Sequence, residues 1–304
     1  MNHFENIRHS INHEFPLFHI TSIKKIGEGD NNKAFLINQN YIFRFPKRKE
    51  VEKTLTKEIG LLPKIRNQFN LEIPDFSFIS KDMNFVGYKS IRGEFLTPAI
   101  YYSLTNELQL QIQVALSEFL SKLHATNLSM IKECNLEIVN LEEEYSDDFK
   151  NIQQLIFPYI HRHQCLLIDQ FFTTYLGNPE NFEYTPALIH NDFSTDHILY
   201  EISTKKINGI IDFGDSAIGD PYYDFKYLLD SFGASFIEDI FRFYQHANQK
   251  INWRKLYFFS LANKLQIIVE SIKDKDKYAA KDAYRNLEKW MHHYENKDLY
   301  LFEN

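Results

Sequence analysis

The chain has 304 residues, a formal net charge of −7 and an isoelectric point near 6.0. This acidity argues against general nucleic-acid binding, which requires a basic surface, and the length favours two lobes over a single core. The two cysteines lack metal-ligand spacing, the first residues lack a signal-peptide pattern, and no apolar run is long enough to span a membrane. We therefore expect a cytoplasmic, monomeric protein without nucleic-acid or membrane partners.

The first third of the chain alternates between strand patterns and turn residues. Residues 1–20 predict a short amphipathic helix, and residues 22–47 predict three strands separated by a glycine turn and an asparagine turn. Apolar residues at helical spacing follow in residues 50–65, and residues 74–96 predict two further strands. Residues 20–95 are therefore predicted to form a five-stranded antiparallel sheet with one helix.

The rest of the chain is mainly helical in pattern. Residues 106–125 form a strong amphipathic helix pattern, and residues 130–185 and 222–304 also favour helices. Between these segments, residues 187–213 contain three short apolar runs that predict strands: ALIH, ILYEI and INGIIDF. A small β-rich lobe is thus expected to precede a larger helical lobe.

Two aspartates come directly after strand patterns. Asp192 follows ALIH, and Asp212 follows INGII. A buried carboxylate without a partner costs several kcal/mol, so such residues are expected at a sheet edge that opens into a cleft. A divalent cation is one partner that offsets this cost, and Mg²⁺ binds one or two protein carboxylates together with water and phosphate oxygens.

The spacing around these aspartates resembles that of protein kinases. HNDFSTDH has the spacing of the catalytic loop H-x-D-x-x-x-x-N, with His197 at the last position, and residues 211–214 match the metal-binding D-F-G. Each motif is weak alone, but their order and the predicted hairpin between them favour phosphoryl transfer. The predicted fold class is α+β: a protein-kinase-like bilobal fold with a β-rich N-lobe, which holds the five-stranded antiparallel sheet, and a larger, mainly helical C-lobe.

The stretch HNDFSTDHILY, followed by IIDFGDSAIGDPYYDF, resembles the aminoglycoside phosphotransferases, most of all those that modify the 2″-hydroxyl. FRFPK at 43–47, KEIGLLP at 57–63 and FVGY at 85–88 also fit that group. The resemblance implies transfer of the γ-phosphoryl of GTP or ATP to a hydroxyl of an aminoglycoside, with antibiotic resistance as the result.

The same resemblance divides the chain. It implies a nucleotide-binding lobe over residues 1–91, with a hinge at about 88–92, and a C-terminal lobe over residues 92–304. The second lobe would carry the catalytic loop (189–199), the metal-binding segment (211–215) and the acceptor site.

The resemblance also assigns roles to the central residues. Asp192 would accept the proton of the attacking hydroxyl or orient that hydroxyl, since positioning dominates in a loose transition state. Asp212 and His197 would bind Mg²⁺. Because Mg²⁺ prefers oxygen ligands, a histidine that only hydrogen-bonds the catalytic loop is the alternative for His197. His190 is expected to tie the loop to the core.

At the nucleotide phosphates a glutamate is expected to pair with a strand cation, and that cation is expected to hold the phosphates, as in kinases. Glu58 lies on the predicted helix, and Arg44 stands where kinases have a lysine; arginine can bind phosphate through two nitrogens. Lys47 is the alternative cation. Gly27, Gly29 and Asp30 of the glycine turn would cover the phosphates.

The base is expected to lie at the hinge. Tyr88 stands where kinases place a residue behind the purine, and backbone groups from Lys89 to Ile91 would bond the base edge. In the resembled group a bulky residue there accompanies a preference for guanine, so GTP is favoured over ATP; a core aromatic without influence on base choice is the alternative.

Four carboxylates are expected to contact the acceptor, because a polycationic amino sugar pairs with negative charge. They are Asp192, Asp215, Asp220 and Asp230. Asp220 precedes a proline and can instead cap a helix, and Asp224 is expected to bond the catalytic loop.

Two other functions remain open at this point. The first is a kinase of another small alcohol, of the choline, methylthioribose or macrolide type. The second is a non-catalytic, nucleotide-binding regulator, which the departures at Arg44 and His197 allow.

Overall fold

In the computed structural model, the amino-terminal part of the chain is an antiparallel sheet of five strands in the spatial order β1-β2-β3-β5-β4. The residues that the structure describes are 3–29, 31–48, 51–246 and 250–295. The strands are β1 Ile23–Glu28, β2 Asn32–Ile37, β3 Tyr41–Pro46, β4 Phe76–Ile79 and β5 Val86–Lys89. Helix α2 (Val51–Ile65) connects β3 to β4. The predicted five-stranded antiparallel sheet is confirmed.

Helix α1 (His3–Glu14) covers one face of this sheet. Ile7 and Ile11 of the helix pack with a cluster of apolar side chains from the sheet that includes Phe35 and Phe43. The helix ends earlier than the predicted residue 20, because Pro16 lacks the N–H group that a further turn requires.

Strand periodicity places the opposite face of the sheet towards the rest of the chain. Since Phe43 points to α1, its neighbours Ile42 and Arg44 point the other way. Tyr88 on β5 pairs with Ile42 and faces the same side. Its neighbour Gly87 lies beneath the ring of Phe43, because a Cβ on residue 87 would lie only 2.8 Å from a ring carbon of Phe43. This second face is therefore available for a ligand.

The larger part of the chain is mainly helical, as predicted. Its helices are α3 Pro98–Ser103, α4 Asn106–His124, α5 Leu128–Ile131, α6 Leu141–Leu155, α7 Arg162–Leu176, α8 Lys226–Phe232, α9 Ala234–Phe241, α10 Trp253–Lys273 and α11 Lys277–Glu295. They bury one extended apolar core, which also takes in the end of α2 through Leu61, Leu62 and Ile65. No helix in the described ranges combines the length and the apolar content needed to cross a membrane.

Two small sheets contain the strands of residues 187–219, which lie between α7 and α8 along the chain, and an earlier strand joins one of them. One consists of β6 (Glu94–Phe95), β8 (Ile198–Glu201) and β9 (Lys206–Ile210), and the other pairs β7 (Ala187–Ile189) with β10 (Ala217–Gly219). The predicted hairpin is thus present as β8–β9. Gly209 allows residue 72 to pack on this hairpin, since a Cβ there would lie 2.5 Å from the backbone oxygen of Glu72. Beyond these strands, His190 Nε2 donates to the backbone oxygen of Ile211 at 3.0 Å, so the residues that follow β7 and β9 are in contact.

Candidate active site

A cleft of about 650 Å³ lies between the free face of the five-stranded sheet and the loops that follow β7 and β9. Most residues that the sequence assigned to one site line it together: Gly27, Gly29, Arg44, Tyr88, Ile91, Asp192, His197, Asp212 and Asp215. Asp30 lies outside the described residues. The cleft is the candidate active site because it joins the predicted phosphate, base and catalytic groups.

The loop after β7 is held in place by the buried carboxylate of Asp224. The backbone N–H groups of His190 and Asn191 each donate to this carboxylate at 2.8 Å. Asn191 has a φ of 71°, in the left-handed region that few residues other than glycine adopt. The two hydrogen bonds hold that turn and direct the Asp192 side chain, about one third of which is exposed, to the cleft.

Asp212 follows β9 at a second left-handed turn, with a φ of 65°. The strand that was predicted to reach residue 213 therefore ends at Ile210. One oxygen of Asp212, Oδ1, accepts a hydrogen bond from Arg44 Nη2 at 3.2 Å. Burial opposes the charge of this carboxylate, but Arg44 and then His197 lower its pKa. Asp212 is thus a carboxylate that stays ionised.

The imidazole of His197 lies between the two aspartates. Its Nδ1 is 2.7 Å from the backbone oxygen of Asp192, an atom that can only accept, so Nδ1 carries the proton. In the neutral ring Nε2 is then a free acceptor, and it lies 3.7 Å from Asp212 Oδ2. The hydrogen bond that was the alternative role for His197 is present, and it leaves the other nitrogen able to bind a metal.

Asp212 Oδ2 and His197 Nε2 suit one divalent ion. No cluster of three or more histidine, cysteine or acidic side chains with metal-site geometry occurs in the described part of the chain. Mg²⁺ does not require such a cluster, because water and phosphate oxygens fill most of its positions. One ionised carboxylate and one unprotonated imidazole nitrogen therefore fit the ion, although the nitrogen is a weaker ligand for it than an oxygen would be.

Arg44 connects three elements of the site. Its Nη1 donates to both oxygens of Glu58 on α2, at 2.9 and 3.0 Å, and its Nη2 donates to Asp212. Glu58 is fully buried, and burial raises its pKa while Arg44 opposes that rise. Burial disfavours the charge of Arg44 as well, but the carboxylates of Glu58 and Asp212 raise its pKa above the ordinary value. The expected pairing of Arg44 with Glu58 is thus present, and Glu58 contacts the cleft only through Arg44.

Lys47, the alternative phosphate cation, forms an ion pair with Glu28 at 3.1 Å. Its position beyond Pro46 takes it away from the cleft. Gly29, whose N–H donates to Asn32, closes the glycine turn between β1 and β2 at the cleft's edge.

The predicted hinge region forms the back of the cleft. The Tyr88 ring is 5% exposed and packs edge-to-face on Phe76, with ring centres 5.6 Å apart. Ile91 lines the cleft, whereas the side chain of Lys89 is exposed and does not. Ser90 N–H donates to the backbone oxygen of Asn40 at 2.7 Å, so this amide is already paired within the protein.

Only one of the additional carboxylates predicted for the acceptor lies in the cleft. Asp215 is exposed there, and its pKa is raised by partial desolvation and by the charges of Asp192 and Asp212. A carboxylate that is exposed next to other negative charges favours a cationic ligand.

The prediction that Asp220 contacts the acceptor is not supported by its position. Asp220 is 1% exposed, caps the turn that starts at Pro221 by accepting from Tyr222 N–H at 3.0 Å, and pairs with Lys255 at 2.5 Å. The sequence overlooked Lys255, which is distant along the chain. Asp230 lies on α8, where Lys264 approaches it to 2.5 Å.

Sequence reasoning also missed Lys226, which follows Asp224 and Phe225. It is 3% exposed, and its Nζ lies 3.4 Å from the centre of the Tyr223 ring. Burial lowers its pKa from 10.5 to about 7, although the charges of Asp192 and other carboxylates oppose the shift. A lysine inside the aromatic run YYDFKYLL was the available signal.

A scan against protein-family models matches residues 22–259 to the phosphotransferase enzyme family. The solved GDP and kanamycin complex of APH(2″)-IIIa is similar to this chain, with a TM-score of 0.89 and 28% sequence identity over 95% of this chain and 99% of that one. The streptomycin and ATP complex of APH(2″)-IIa has a TM-score of 0.74 and 25% identity over 99% of both chains. Macrolide 2′-phosphotransferase MphH from Brachybacterium faecium, with a TM-score of 0.70 and 16% identity over 93% of this chain and 96% of that one, shares the fold.

Replacing Lys226 with Met is expected to stabilise the protein at neutral pH and to flatten its stability profile from about pH 7 to about pH 10. Because the folded-state pKa of Lys226 is about 7 and its ordinary value is 10.5, the unfolded chain binds a proton in this range that the folded chain lacks. The free energy of unfolding of the wild type therefore increases as pH rises through this range and decreases as pH falls towards 7.

Chemical denaturation across this pH range measures the effect. Lys81→Met, at an exposed lysine, is the control and should leave the slope unchanged. Equal slopes for wild type and Lys226→Met would show that the buried amine keeps its ordinary pKa.

Proposed function

This chain belongs to the phosphotransferase enzyme family, and we propose that it transfers the γ-phosphoryl group of a nucleoside triphosphate to a hydroxyl, at the 2″ position, of an aminoglycoside antibiotic. One observation carries the proposal: His197 brings the carboxylates of Asp192 and Asp212 to the same point of the cleft. Its Nδ1 lies 3.6 Å from Asp192 Oδ2, and its Nε2 lies 3.7 Å from Asp212 Oδ2. Asp192 can then bind the acceptor hydroxyl while Asp212 acts at the phosphates of the donor nucleotide.

Asp192 is the residue that meets the acceptor hydroxyl. Its carboxylate is partly exposed, and the hydrogen bonds that the loop's backbone N–H groups donate to Asp224 hold its loop. It accepts a hydrogen bond from the hydroxyl, orients the oxygen towards the donor phosphate and takes the proton as the bond to the γ-phosphorus forms. The bond between that phosphorus and the bridging oxygen breaks in the same step, and the nucleoside diphosphate leaves. Since the transition state of phosphoryl transfer is loose, orientation contributes more than basicity.

The donor end of the cleft is formed by Asp212, His197, Arg44 and the glycine turn. Asp212 and His197 would hold Mg²⁺, which when bound neutralises the charge of the phosphate oxygens. The guanidinium of Arg44 supplies a permanent positive charge at the same place, and the backbone of Gly27 and Gly29 closes over the phosphates.

The acceptor is proposed to be cationic because of the negative charge around Asp192. Asp215 is exposed beside it, and the chain carries a net charge of −7. The similar structures named above were solved with kanamycin and with streptomycin bound. Addition of a phosphate to such a drug would spoil its cationic fit to RNA, and resistance would follow.

A second candidate is a kinase of a less cationic alcohol, such as a macrolide sugar. The observation that favours it is the internal pairing of two expected acceptor carboxylates, Asp220 with Lys255 and Asp230 with Lys264. A site with fewer available carboxylates binds a polycation less tightly.

The proposal is tested by mass spectrometry of kanamycin after incubation with the protein, Mg²⁺ and either GTP or ATP. We expect one added phosphate, and a rate about 10²–10⁴ lower for Asp192→Asn, which keeps the shape of the side chain and removes the negative charge that orients the hydroxyl and accepts its proton. Asp147→Asn, at an exposed carboxylate on α6, is the matched control and should retain the rate.

Phosphorylation of a macrolide or choline with none of kanamycin would replace the substrate class with the second candidate. No phosphorylation of any alcohol, or full turnover by Asp192→Asn, would contradict phosphoryl transfer by this site.

GTP is proposed as the preferred donor, because the buried Tyr88 ring narrows the space behind the base. Tyr88→Ala opens that space and is expected to raise kcat/KM for ATP relative to GTP about tenfold. Tyr88→Phe keeps the ring and should keep the preference. Steady-state kinetics with both nucleotides measure the ratio, and an unchanged ratio in Tyr88→Ala would mean that Tyr88 is only a core aromatic.

A further inference from the structure

A second cavity, of about 660 Å³, lies beside the active-site cleft between helices α8, α10 and α11. Tyr227 lines this cavity, and its helix α8 contacts residues 195–197 of the catalytic loop in the cleft. Burial, followed by the charges of Asp192 and Asp230, raises the pKa of the Tyr227 phenol. An acceptor whose hydroxyl meets Asp192 can therefore extend another part of its structure into this cavity.

Asp230 is the acidic side chain of α8 in this cavity, and both of its oxygens are occupied from α10. Ser260 donates its hydroxyl to Oδ1, and Lys264 Nζ lies 2.5 Å from Oδ2. The side chains of Lys264 and Asp230 are only 15% and 17% exposed. The pair is therefore shielded from water more than a surface salt bridge and is less weakened by salt.

The geometry of this pair is fixed by helix periodicity. Ser260 and Lys264 are four residues apart on α10, so both project from the same face of the helix towards α8. Trp290 on α11 donates its Nε1–H to Ser260 Oγ at 3.0 Å, which leaves the serine hydroxyl proton for Asp230. Three helices thus hold the Lys264 ammonium against Asp230.

The Lys264 ammonium has the same charge and size as the amino group of an amino sugar. An acceptor amine that reaches Asp230 must displace the Lys264 ammonium. The ion pair between Lys264 and Asp230 is then lost when the pair between the acceptor amine and Asp230 forms. Asp215 differs, because it is exposed and no salt bridge within the described residues includes it, although the charge of Lys57 acts on it and lowers its pKa. The cleft therefore has an available carboxylate next to Asp192 and an occupied one deeper along α8.

We propose that Lys264 is a specificity-determining residue, a built-in cation that occupies the ammonium position beside Asp230. The acceptor site then favours sugars that carry a hydroxyl, rather than an amine, on the part that enters this cavity. The inference rests on the proposed function, because it takes the acceptor to be bound at Asp192.

The inference is tested by the calorimetric Kd of kanamycin for wild type and three variants. Lys264→Met keeps the length of the side chain and frees Asp230, and it should bind kanamycin about tenfold more tightly. Lys264→Arg keeps a cation and should match wild type. The double variant Asp230→Asn with Lys264→Met should lose the gain, because the freed carboxylate is what the acceptor amine contacts.

Lys289→Met is the control that separates the effect of freeing Asp230 from the effect of a changed net charge on kanamycin binding. Lys289 lines the same cavity, and no ion pair joins it to Asp230 among the described residues. It changes the net charge equally, so a gain as large as that of Lys264→Met would overturn the proposal. Thermal midpoints of all variants check that each chain is folded.

The outcomes for the two proposals differ. If wild type binds kanamycin and folded Lys264→Met binds it no more tightly, the role of Lys264 is refuted and the proposed function stands. If only Lys264→Met binds kanamycin, the role of Lys264 is supported and the proposed substrate class of the wild type fails. If neither binds it, both proposals fail.

Discussion

The ion pairs of Arg44 are the constraint on which the rest of the site depends. This one guanidinium joins a strand of the sheet, helix α2 through Glu58 and the segment after β9 through Asp212. Removing one partner of such a buried pair typically costs about 3–5 kcal/mol, because the other charge is left unpaired. The cleft's two sides are therefore coupled electrostatically, and the position of Asp212 relative to the sheet follows from Arg44.

A consistent charge arrangement follows from this constraint. Arg44 and His197 lower the pKa of Asp212 and keep an ionised carboxylate at the donor side. At the acceptor side Asp215 is exposed, whereas Asp230 is already paired with Lys264. If Lys264 acts as proposed, acceptor choice depends on which carboxylates the lysines of this chain leave available, and not on the number of acidic residues near the catalytic loop.

The sequence predicted the fold and the centre of the site because both depend on local patterns. Alternation placed Arg44 on a strand, and strand-end positions placed Asp192 and Asp212 together. Asp220 and Asp230 were beyond such reasoning, since the lysines that neutralise them come from α10, more than 30 residues along the chain. Only the packing of α10 against residues 220–232 reveals those pairs. The left-handed turns at Asn191 and Asp212 were also missed, because the strand and turn patterns of a sequence do not indicate which residue adopts a strained backbone conformation.

The central claim is that the ion pair between Arg44 and Asp212 couples the two sides of the cleft, so that the two residues act together on nucleotide binding. A double-mutant cycle with Arg44→Met and Asp212→Asn, read as the calorimetric Kd of GDP in the presence of Mg²⁺, tests it most directly. The account predicts that each change weakens binding and that the double variant is weakened by less than the sum, with a coupling of about 0.5–3 kcal/mol. Strictly additive effects would mean that the two residues act independently and would contradict the claim.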